Sequence, residues 1–530
     1  MRNFLSAAVC LPWLMCAAPS VSTQGTTVAF GGDLQAAIDA ALPGESILLQ
    51  PGATYVGHFR LPARTGNDTR PIILRTAGSD AVPPGTRMSP EAAPRLAKLQ
   101  SPDGAPVLAT RPGARFWTVQ LLEFLPNRDG ADDIIALGDG TSAQGTLDVV
   151  PSDLVVDRVY IHGDARQGQK RGIALNSRRT TISNSYIADI KAVGVDSQAI
   201  AGWNGPGEYV IENNYLEAAG ENVMFGGADP SIANLTPTGI VIRRNTLSKP
   251  LAWKESGQRW QIKNLLELKH ARDVSIVGNV FERNWAQSQS GYAILFTVRN
   301  QDGRCPWCQV ENVVFESNIV RDVAAGVAIL GTDYLQPSRR TQRIVIRNNL
   351  FDGLDSRQWG GDGYFLLMTD EPRDLVIDHN TVIQGVSGGI AKIDGVVEGF
   401  TFTNNMTGHG EYGIIATSRA PGNSSIRSNL PGSTITANVI AGGQADQYPP
   451  GNMFPTVEEW RQQLVSPSTH DFRLRSGSPW ARAGTDGRPL GADLSAASAA
   501  PSDTAGKAVP RDTNIVPRVP DNPRRPRSGR

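Results

Sequence analysis

The chain has 530 residues, of which 40% are hydrophobic and 19% charged, and 51 Lys and Arg residues balance 51 Asp and Glu residues. This composition can fill a large core. It excludes a wholly disordered chain and a strongly basic nucleic-acid-binding protein, so we expect no nucleic-acid partner. The four cysteines are too few for a scaffold held together by many disulfides.

The N-terminal segment has the pattern of an export signal. Arg2 precedes an apolar stretch over residues 4–18, and small residues at 20–22 offer a cleavage site. We therefore assign residues 1–22 to a signal peptide and expect the mature protein to be secreted, either into a periplasm or out of the cell. No later stretch has about 18 consecutive apolar residues, so no transmembrane segment is expected.

Two cysteines remain once the signal peptide is removed. Cys305 and Cys308 are separated by a proline and a tryptophan. In an oxidising compartment such a closely spaced pair favours a local disulfide. A redox centre is the less favoured interpretation, because no alternating strand and helix pattern surrounds the pair.

Short helices are predicted near both ends of the mature chain. Apolar residues within 34–42 recur on one face, and Asp33 stands where an N-cap is expected. Near the other end, Thr456 begins a capping box that starts a helix to about Leu464, and residues 471–474 fit a final strand. We interpret both helices as covers for the ends of a repeated core.

An asparagine recurs through the middle of the chain at intervals of 25 to 39 residues. Apolar residues alternate before it and resume just after it, which predicts two short strands joined by a tight turn at the asparagine itself. The members are Asn184, Asn214, Asn245, Asn279, Asn318, Asn349, Asn380 and Asn405. We expect their amides to stack and to hydrogen-bond to one another along the repeat axis.

A third short strand follows a loop of variable length in each repeat. The predicted third strands are 172–177, 222–226, 265–269, 293–300, 326–332, 365–370, 390–394 and 414–417. Three strands per repeat predict an all-β fold, a right-handed single-stranded parallel β-helix with an N-terminal capping helix and a short C-terminal helix. We assign residues 23–495 to this domain.

The last residues differ in composition from the repeats. Residues 501–530 contain six prolines and seven Lys and Arg residues, with almost no large apolar side chain. Such a segment cannot bury enough surface to offset the entropy lost on ordering. We therefore predict that residues 496–530 form a disordered tail rich in proline and arginine.

The repeats, together with segments 44–52 and 486–493, resemble those of secreted right-handed β-helix proteins of the pectate-lyase-like superfamily. That superfamily includes lyases, hydrolases, esterases and noncatalytic adhesins, so the resemblance implies a fold without selecting a reaction. Its enzymes usually bind glycans along the outward residues of the third strand. The choice of function therefore depends on that strand.

Alternation within residues 266–269 and residues 296–299 turns every second side chain outward. The outward residues are Glu267, Lys269, Thr297 and Arg299. If residues 266–269 stack directly on residues 296–299, Lys269 and Arg299 become neighbours on coils about 4.8 Å apart. The other two outward residues are then candidate contacts to a substrate.

A neighbouring lysine and arginine suit β-elimination of a uronate polymer, in which a base removes the proton next to a carboxylate. Arg299 is expected to neutralise that carboxylate. We expect Lys269 to act as the base, its pKa lowered by the adjacent cation and by partial burial. A structural charge ladder with Glu267 is the other interpretation of this pair.

The two motifs resemble those of the alginate-lyase and chondroitinase-B type of polysaccharide lyase, which place a lysine base and an arginine on successive coils. The resemblance implies a base role for Lys269 and a carboxylate-binding or proton-donating role for Arg299. It also implies Ca²⁺ as a candidate cofactor, for which Glu267 and Glu221 are the candidate ligands. No cofactor follows from the residues themselves.

Further residues near this pair are candidates for sugar binding. Asn222 and Asn300 are polar and close to the outward face of the third strands. Trp253 and Trp285 are predicted to lie in loops, where their faces can stack on sugar rings. Residues 243–304 hold eleven Lys and Arg residues against five Asp and Glu residues. Such a basic zone is expected to attract an anionic polysaccharide.

The sequence therefore predicts a secreted polysaccharide-processing protein, with a lyase of uronate-containing glycans as the leading hypothesis. A noncatalytic glycan-binding or cell-surface module is the first alternative, and a glycoside hydrolase is the second. Well-capped solenoids are commonly monomers, so a monomer is expected.

Overall fold

The computed structural model describes residues 25–64, 66–78 and 82–494. The predicted signal peptide over 1–22 and the predicted tail over 496–530 lie outside the described residues and stay predictions. Across the described ranges, every helix is too short or too polar to cross a membrane.

Three long parallel sheets form the body of the protein, and successive turns of the chain add one strand to each sheet. The first sheet has fourteen strands: Gly25–Val28, Ser46–Leu49, Ile72–Thr76, Arg115–Gln120, Ser152–Asp157, Arg178–Ser183, Val210–Glu212, Thr238–Arg243, Ala271–Val277, Val310–Glu316, Gln342–Arg347, Arg373–Asp378, Phe400–Thr403 and Thr434–Thr436. The second has thirteen: Thr54–Val56, Ala97–Gln100, Leu122–Phe124, Tyr160–His162, Tyr186–Ile190, Tyr215–Ala218, Thr246–Ser248, Val280–Asn284, Ile319–Val323, Leu350–Leu354, Thr381–Gln384, Met406–Gly408 and Val439–Ala441. The third has twelve: Phe59–Leu61, Leu108–Thr110, Asp133–Leu137, Arg171–Leu175, Gln198–Gly202, Glu221–Phe225, Asn264–Leu268, Tyr292–Thr297, Ala325–Leu330, Leu366–Thr369, Ala391–Ile393 and Ile414–Ala416. The predicted right-handed parallel β-helix is confirmed.

Helices are short and lie at the ends or in the loops. The α-helices are Leu34–Ala40, Leu251–Glu255, Ser356–Trp359, Asn423–Asn429 and Val457–Gln462. Short 3₁₀-helices occupy Pro90–Arg95, Arg128–Gly130, Leu147–Val149, Ala445–Gln447 and Pro467–Thr469. An antiparallel pair, Leu464–Ser466 and Asp471–Leu474, follows the last helix.

Both predicted end helices are present with their predicted caps. The side chain of Asp33 accepts a hydrogen bond from the backbone N–H of Ala36 at 2.9 Å, and Leu34 and Ile38 are buried. At the other end, Thr456 and Glu459 exchange the reciprocal hydrogen bonds of a capping box. Each cap satisfies backbone donors that the first turn of a helix leaves unpaired.

Apolar side chains stack in rows inside the coil. One such row on the third sheet pairs residues across five successive strands, and all of them are fully buried. Its members are Ile173, Ile200, Val223, Leu266 and Ile294. Because each row runs along the axis, the core is continuous from coil to coil.

A ladder of asparagines lines the turn between the first and second sheets. The backbone N–H and the Nδ2 of Asn279 both donate to the Oδ1 of Asn318, at 2.9 and 3.0 Å, and the same Nδ2 donates to the carbonyl of Ile242. The pattern repeats at each step. The members are Asn214, Asn245, Asn279, Asn318, Asn349, Asn380, Asn405, Asn438 and Asn452.

Two details of the ladder differ from the sequence prediction. Asn184 is not a member, because Ser185 takes the equivalent position and its backbone N–H donates to Asn214. The left-handed backbone conformation falls on the residue before each asparagine, as in Arg244 at φ 56° and Ser317 at φ 55°. The turn is therefore made one residue early, which lets the asparagine point inward to reach the next coil.

We predict that Asn318→Ala lowers the free energy of unfolding by about 2–4 kcal/mol, because it leaves buried donors of Asn279 without an acceptor. Urea unfolding of the mature protein measures this. The exposed Asn67 provides the control, since Asn67→Ala should change stability by less than about 0.5 kcal/mol. Equal effects of the two substitutions would contradict a stabilising role for the ladder.

Candidate functional site

The candidate site lies on the outer face of the third sheet, where strands Asn264–Leu268 and Tyr292–Thr297 run side by side. Leu266 and Leu268 point inward and are fully buried, as the alternation predicted. Lys269 follows the first strand directly and Arg299 follows the second. Both therefore reach the surface at the same end of the sheet.

The register of these strands differs from the prediction by two residues. Leu266 pairs with Ile294 and Leu268 with Phe296, so continuation of this register aligns Lys269 with Thr297. Arg299 lies two residues further along, and its backbone N–H donates to the carbonyl of Lys269 at 3.0 Å. Alternation has a period of two residues, so it predicts which face of the sheet a side chain occupies. A shift of two residues keeps every side chain on its face, so the pattern cannot distinguish the two registers.

Lys269 and Arg299 nevertheless line one pocket of about 230 Å³. Both apolar and polar residues line this pocket. The apolar residues are Leu295, Ala328, Ile329, Leu330 and Leu367; the polar ones are Glu267, Gln289, Thr297, Tyr334 and Thr369. The side chains of Lys269 and Arg299 retain 17% and 20% of their accessible surface.

Lys269 is held by Glu267 on the same strand. Its Nζ lies 2.5 Å from Oε1 of Glu267, which also accepts a hydrogen bond from Thr297 at 2.9 Å. Asn264 donates to the other oxygen, Oε2, at 3.0 Å. Burial alone would raise the pKa of Glu267, but the Lys269 ammonium and these hydrogen bonds outweigh it and hold that pKa below its ordinary value.

Arg299 is held by a loop of the following coil. Its Nη1 donates to Oδ1 of Asp333 at 2.8 Å, and the Asp333 side chain is fully buried. The guanidinium stacks over the ring of Tyr334, 4.9 Å from the ring centroid. Tyr334 is 66% exposed, so its outer face is free to contact a ligand.

A glycine below Lys269 makes the close approach of the coils possible. Gly226 has φ 93°, and a Cβ placed there would lie 2.9 Å from the Cβ of Lys269 and 2.7 Å from the backbone nitrogen of His270. Any larger residue would displace the backbone that carries the lysine. Glycine at this position is therefore a packing requirement of the site.

Asn222 and Asn300, predicted as substrate contacts, are buried and occupied by the protein itself. The Nδ2 of Asn222 donates to the carbonyls of Leu216 and Ser248. Asn300 donates to the carbonyl of Pro337 at 2.7 Å and accepts from the backbone of Cys305. Their amides fix turns of the coil and are not presented to the pocket.

Trp253 and Trp285, predicted to stack on sugar rings, are also buried, with 6% and 5% exposure. They pack in an apolar cluster with Trp260, Ile262 and Trp359. This cluster covers loops at one side of the solenoid, where burying a large ring is more favourable than exposing it. The aromatic face that the pocket does expose belongs to Tyr334, which the sequence analysis did not select.

The basic zone over residues 243–304 is largely neutralised by carboxylates of its own and neighbouring coils. The ion pairs include Arg243 and Arg244 with Glu212, Lys263 with Glu221, Arg272 with Asp273, and Arg283 with Glu282. Lys249 is fully buried and donates to three backbone carbonyls, and burial lowers its pKa to about 7. Little of the zone's positive charge is free for a ligand.

A row of polar side chains, not predicted from the sequence, leads to the pocket across five strands of the third sheet. Its members are Asp133, Arg171, Gln198, Glu221 and Asn264, which pair in register. Arg171 donates to Asp133 at 2.6 Å and to Gln198 at 3.0 Å, and Gln198 donates to Glu221 at 2.9 Å. No spacing in the sequence marks this row, because the loops between its members vary in length.

The residues near the pocket do not fit Ca²⁺. Calcium requires six to eight oxygen ligands at about 2.3–2.6 Å. Both carboxylate oxygens of Glu267 accept hydrogen bonds from protein donors, and so do both oxygens of Glu221, which bind Lys263 and Gln198. The ammonium groups of Lys263 and Lys269 repel a metal ion, and the amide and hydroxyl donors occupy carboxylate oxygens that a metal ion would need.

Across residues 25–64, 66–78 and 82–494, one group of metal-binding residue types comes together, and it includes two oxidised cysteines. Cys305 and Cys308 form a disulfide with Cα atoms 5.3 Å apart, close to the ring of His270. The ring nitrogens of His270 are engaged by the carbonyl of Leu235 and the N–H of Gln309. A disulfide carries no thiolate, so this group is structural.

Comparisons with known proteins show the fold. No protein-family model matches the chain, and no curated protein matches it by sequence. The PL6 family alginate lyase AlyGC is 15% identical, with a TM-score of 0.52 over 88% of this chain and 57% of that chain. The chain thus spans little more than half the length of that lyase.

A second structure with this fold belongs to a different class of enzyme. The catalytic unit of the GH87 α-1,3-glucanase from Streptomyces thermodiastaticus strain HF3-3 is 13% identical, with a TM-score of 0.51 over 85% of this chain and 71% of that chain. Identities this low carry the fold and not the reaction. The chain therefore shares its parallel β-helix with a lyase and a glucanase alike.

We predict that acid weakens the protein partly through Glu267. Its pKa is lowered in the folded state, so between the folded and unfolded pKa values the unfolded chain binds more protons. The free energy of unfolding of wild type should therefore exceed that of Glu267→Gln by its full amount at neutral pH. This difference should shrink as the pH falls below about 4.3. Urea unfolding of both proteins from pH 7 to pH 3 measures it, and a difference that is constant with pH would contradict it.

Proposed function

We propose that this protein is a polysaccharide lyase that cleaves a uronate-containing glycan by β-elimination in the pocket on the third sheet. The observation that carries the proposal is the meeting of Lys269 and Arg299, from consecutive coils, at one open pocket. The fold supports the broader class of polysaccharide-processing proteins, since structures with the same fold include enzymes of that class.

Arg299 binds the uronate carboxylate in this proposal. A guanidinium offers two parallel N–H donors to a carboxylate, and it neutralises the charge that grows as the proton is removed. Asp333 and the ring of Tyr334 fix the plane of the guanidinium before substrate arrives. Because Asp333 already compensates part of its charge, the substrate carboxylate binds to the N–H groups that Asp333 leaves free.

Lys269 takes the proton next to the carboxylate. The C–H electron pair forms the new carbon–carbon double bond, the bond to the glycosidic oxygen breaks, and that oxygen takes up a proton from solvent in the open pocket. The neutral amine is the form that accepts a proton, and in the structure Nζ of Lys269 lies 2.5 Å from Oε1 of Glu267.

Tyr334 extends the site toward the neighbouring sugar. Its ring is exposed on one face and fixed by Arg299 on the other, and an aromatic ring in this position packs on the apolar face of a pyranose. The apolar residues that line the pocket, among them Leu295 and Leu367, provide a second such surface. Charge and apolar contacts then act together on one substrate.

We predict that Lys269→Ala and Arg299→Ala each reduce activity by about 10²–10⁴-fold, because each removes a group that acts in the transition state. The measurement is the ultraviolet absorbance of unsaturated uronate ends, with pectate, alginate and glycosaminoglycans as substrates. Lys170→Ala is the matched control, since Lys170 is a partly exposed lysine before strand Arg171–Leu175 on the same sheet. It should retain wild-type activity.

Two other outcomes would replace the lyase by another function. Binding of a glycan without any new absorbance would identify a noncatalytic glycan-binding module. Release of reducing ends without that absorbance would identify a glycoside hydrolase, the class to which the glucanase of similar fold belongs.

We predict that Tyr334→Ala raises KM by about 3–10-fold with a smaller effect on kcat, because it removes a stacking surface outside the reacting atoms. Tyr334→Phe keeps the ring and should retain the wild-type KM. Steady-state kinetics on the best substrate measure both. A loss confined to kcat would instead place Tyr334 in the chemical step.

A further inference from the structure

Three carboxylates belong to consecutive coils, and one of them, Glu267, lines the pocket. Asp196 lies just before strand Gln198–Gly202, Glu221 begins the next strand, and Glu267 lies on the strand after it. The side chain of Glu221 is fully buried and that of Glu267 nearly so. A buried carboxylate such as Glu221 requires a compensating cation, which an ammonium or a divalent metal ion can supply.

The cation in this structure is the ammonium of Lys263. Its Nζ lies 2.5 Å from Oδ2 of Asp196 and 3.1 Å from Oε1 of Glu221, so it bridges two coils. The Lys263 side chain keeps only 15% of its exposure. Burial alone would lower the pKa of Lys263, but Glu221 and Asp196 outweigh burial and raise it, so the ammonium keeps its charge.

The position of this ammonium is fixed by the backbone of the coil. The N–H of Lys263 donates to the carbonyl of Ala219 at 3.1 Å, and the N–H of Asn264 donates to Gly220 at 3.1 Å. Residues 219 and 220 lead directly into Glu221, so the hydrogen bonds that stack the coils also place Nζ against its carboxylate. Gln198 satisfies the second oxygen of Glu221.

The remaining carboxylate is neutralised in the same way. Glu267 pairs with Lys269, which lines the pocket. Two lysine ammonium groups thus neutralise the three carboxylates: Lys263 pairs with Asp196 and Glu221, and Lys269 pairs with Glu267. Glu221 feels both burial and the charge of Glu267, which raise its pKa, and Lys263 opposes them.

We propose that Lys263 is a built-in replacement for a divalent metal: its ammonium neutralises Asp196 and Glu221, so the protein folds and keeps its pocket without calcium, and removing it turns these carboxylates into a divalent-cation site. The proposal concerns how the chain is held and is independent of the reaction at Lys269. Its tests therefore measure stability and binding.

The wild-type protein provides the first test. Its Tm should change by less than about 1 °C between excess EDTA and about 10 mM CaCl₂. Calorimetric titration with Ca²⁺ should show no heat of binding. A calcium-dependent rise in Tm that Glu221→Gln abolishes would overturn the proposal. This test requires no variant of uncertain folding.

The variant Lys263→Met provides the second test. Methionine keeps the unbranched side chain up to the ε position and removes its charge, so Glu221 loses its cation and the Tm in EDTA should fall by about 5 °C or more. Addition of about 10 mM CaCl₂ should restore most of that loss, because calcium then occupies the vacated position. Lys170→Met is the matched control, since Lys170 pairs with Asp132 at 3.6 Å and is 41% exposed; its Tm should not respond to calcium.

A double variant separates charge from packing. In Lys263→Met with Glu221→Gln, the unpaired carboxylate is gone, so the Tm in EDTA should exceed that of Lys263→Met and should no longer rise with calcium. If calcium fails to stabilise Lys263→Met, or stabilises the double variant equally, the proposal is overturned. If Lys263→Met folds only when calcium is present during refolding, the proposal is supported.

Discussion

The structure depends on the in-register stacking of parallel coils. Each coil hydrogen-bonds to the next through three sheets, and the ladder that runs from Asn214 to Asn452 binds the coils at a fourth place. Because every ladder amide between the two end members donates to one neighbour and accepts from the other, a slip of one coil would leave several buried polar groups unpaired. The register is therefore strongly specified, and a residue's place in its coil determines which residues it meets above and below.

Adjacent coils are about 4.8 Å apart, so the charge of each outward residue restricts which residues can stand next to it on the neighbouring coils. Like charges in one row would repel at this distance, and the row from Asp133 to Asn264 instead alternates an acid, a base, an amide, an acid and an amide. Around the pocket each cation has its own carboxylate. These ion pairs hold Lys269 and Arg299 in place, and under the proposed function a substrate would compete with Glu267 and Asp333 for their charge.

The loops decide what the sheet presents to a ligand. Four tryptophans from loops at one side of the solenoid pack together, and none of them is presented to a sugar: Trp253, Trp260, Trp285 and Trp359. Beside the pocket the outer face of the third sheet is apolar, with Leu295 and Ala328 packed against Tyr292 and Tyr364. Under the proposed function, Arg299 binds the carboxylate of the sugar and this apolar surface packs on its faces.

The sequence by itself determined the architecture and the sides of its strands. Recurring asparagines, alternating apolar residues and capped end helices predicted the β-helix, and the inward positions of Leu266 and Leu268 followed from a period of two. Only the tertiary structure decided the register, the true members of the asparagine ladder, and the burial of Trp253 and Asn222. The physical reason is that alternation and composition are local properties of the chain, whereas the contacts of a side chain come from other coils. The two partners of Lys263, Glu221 and Asp196, are 42 and 67 residues away in sequence, and loops of irregular length set these separations.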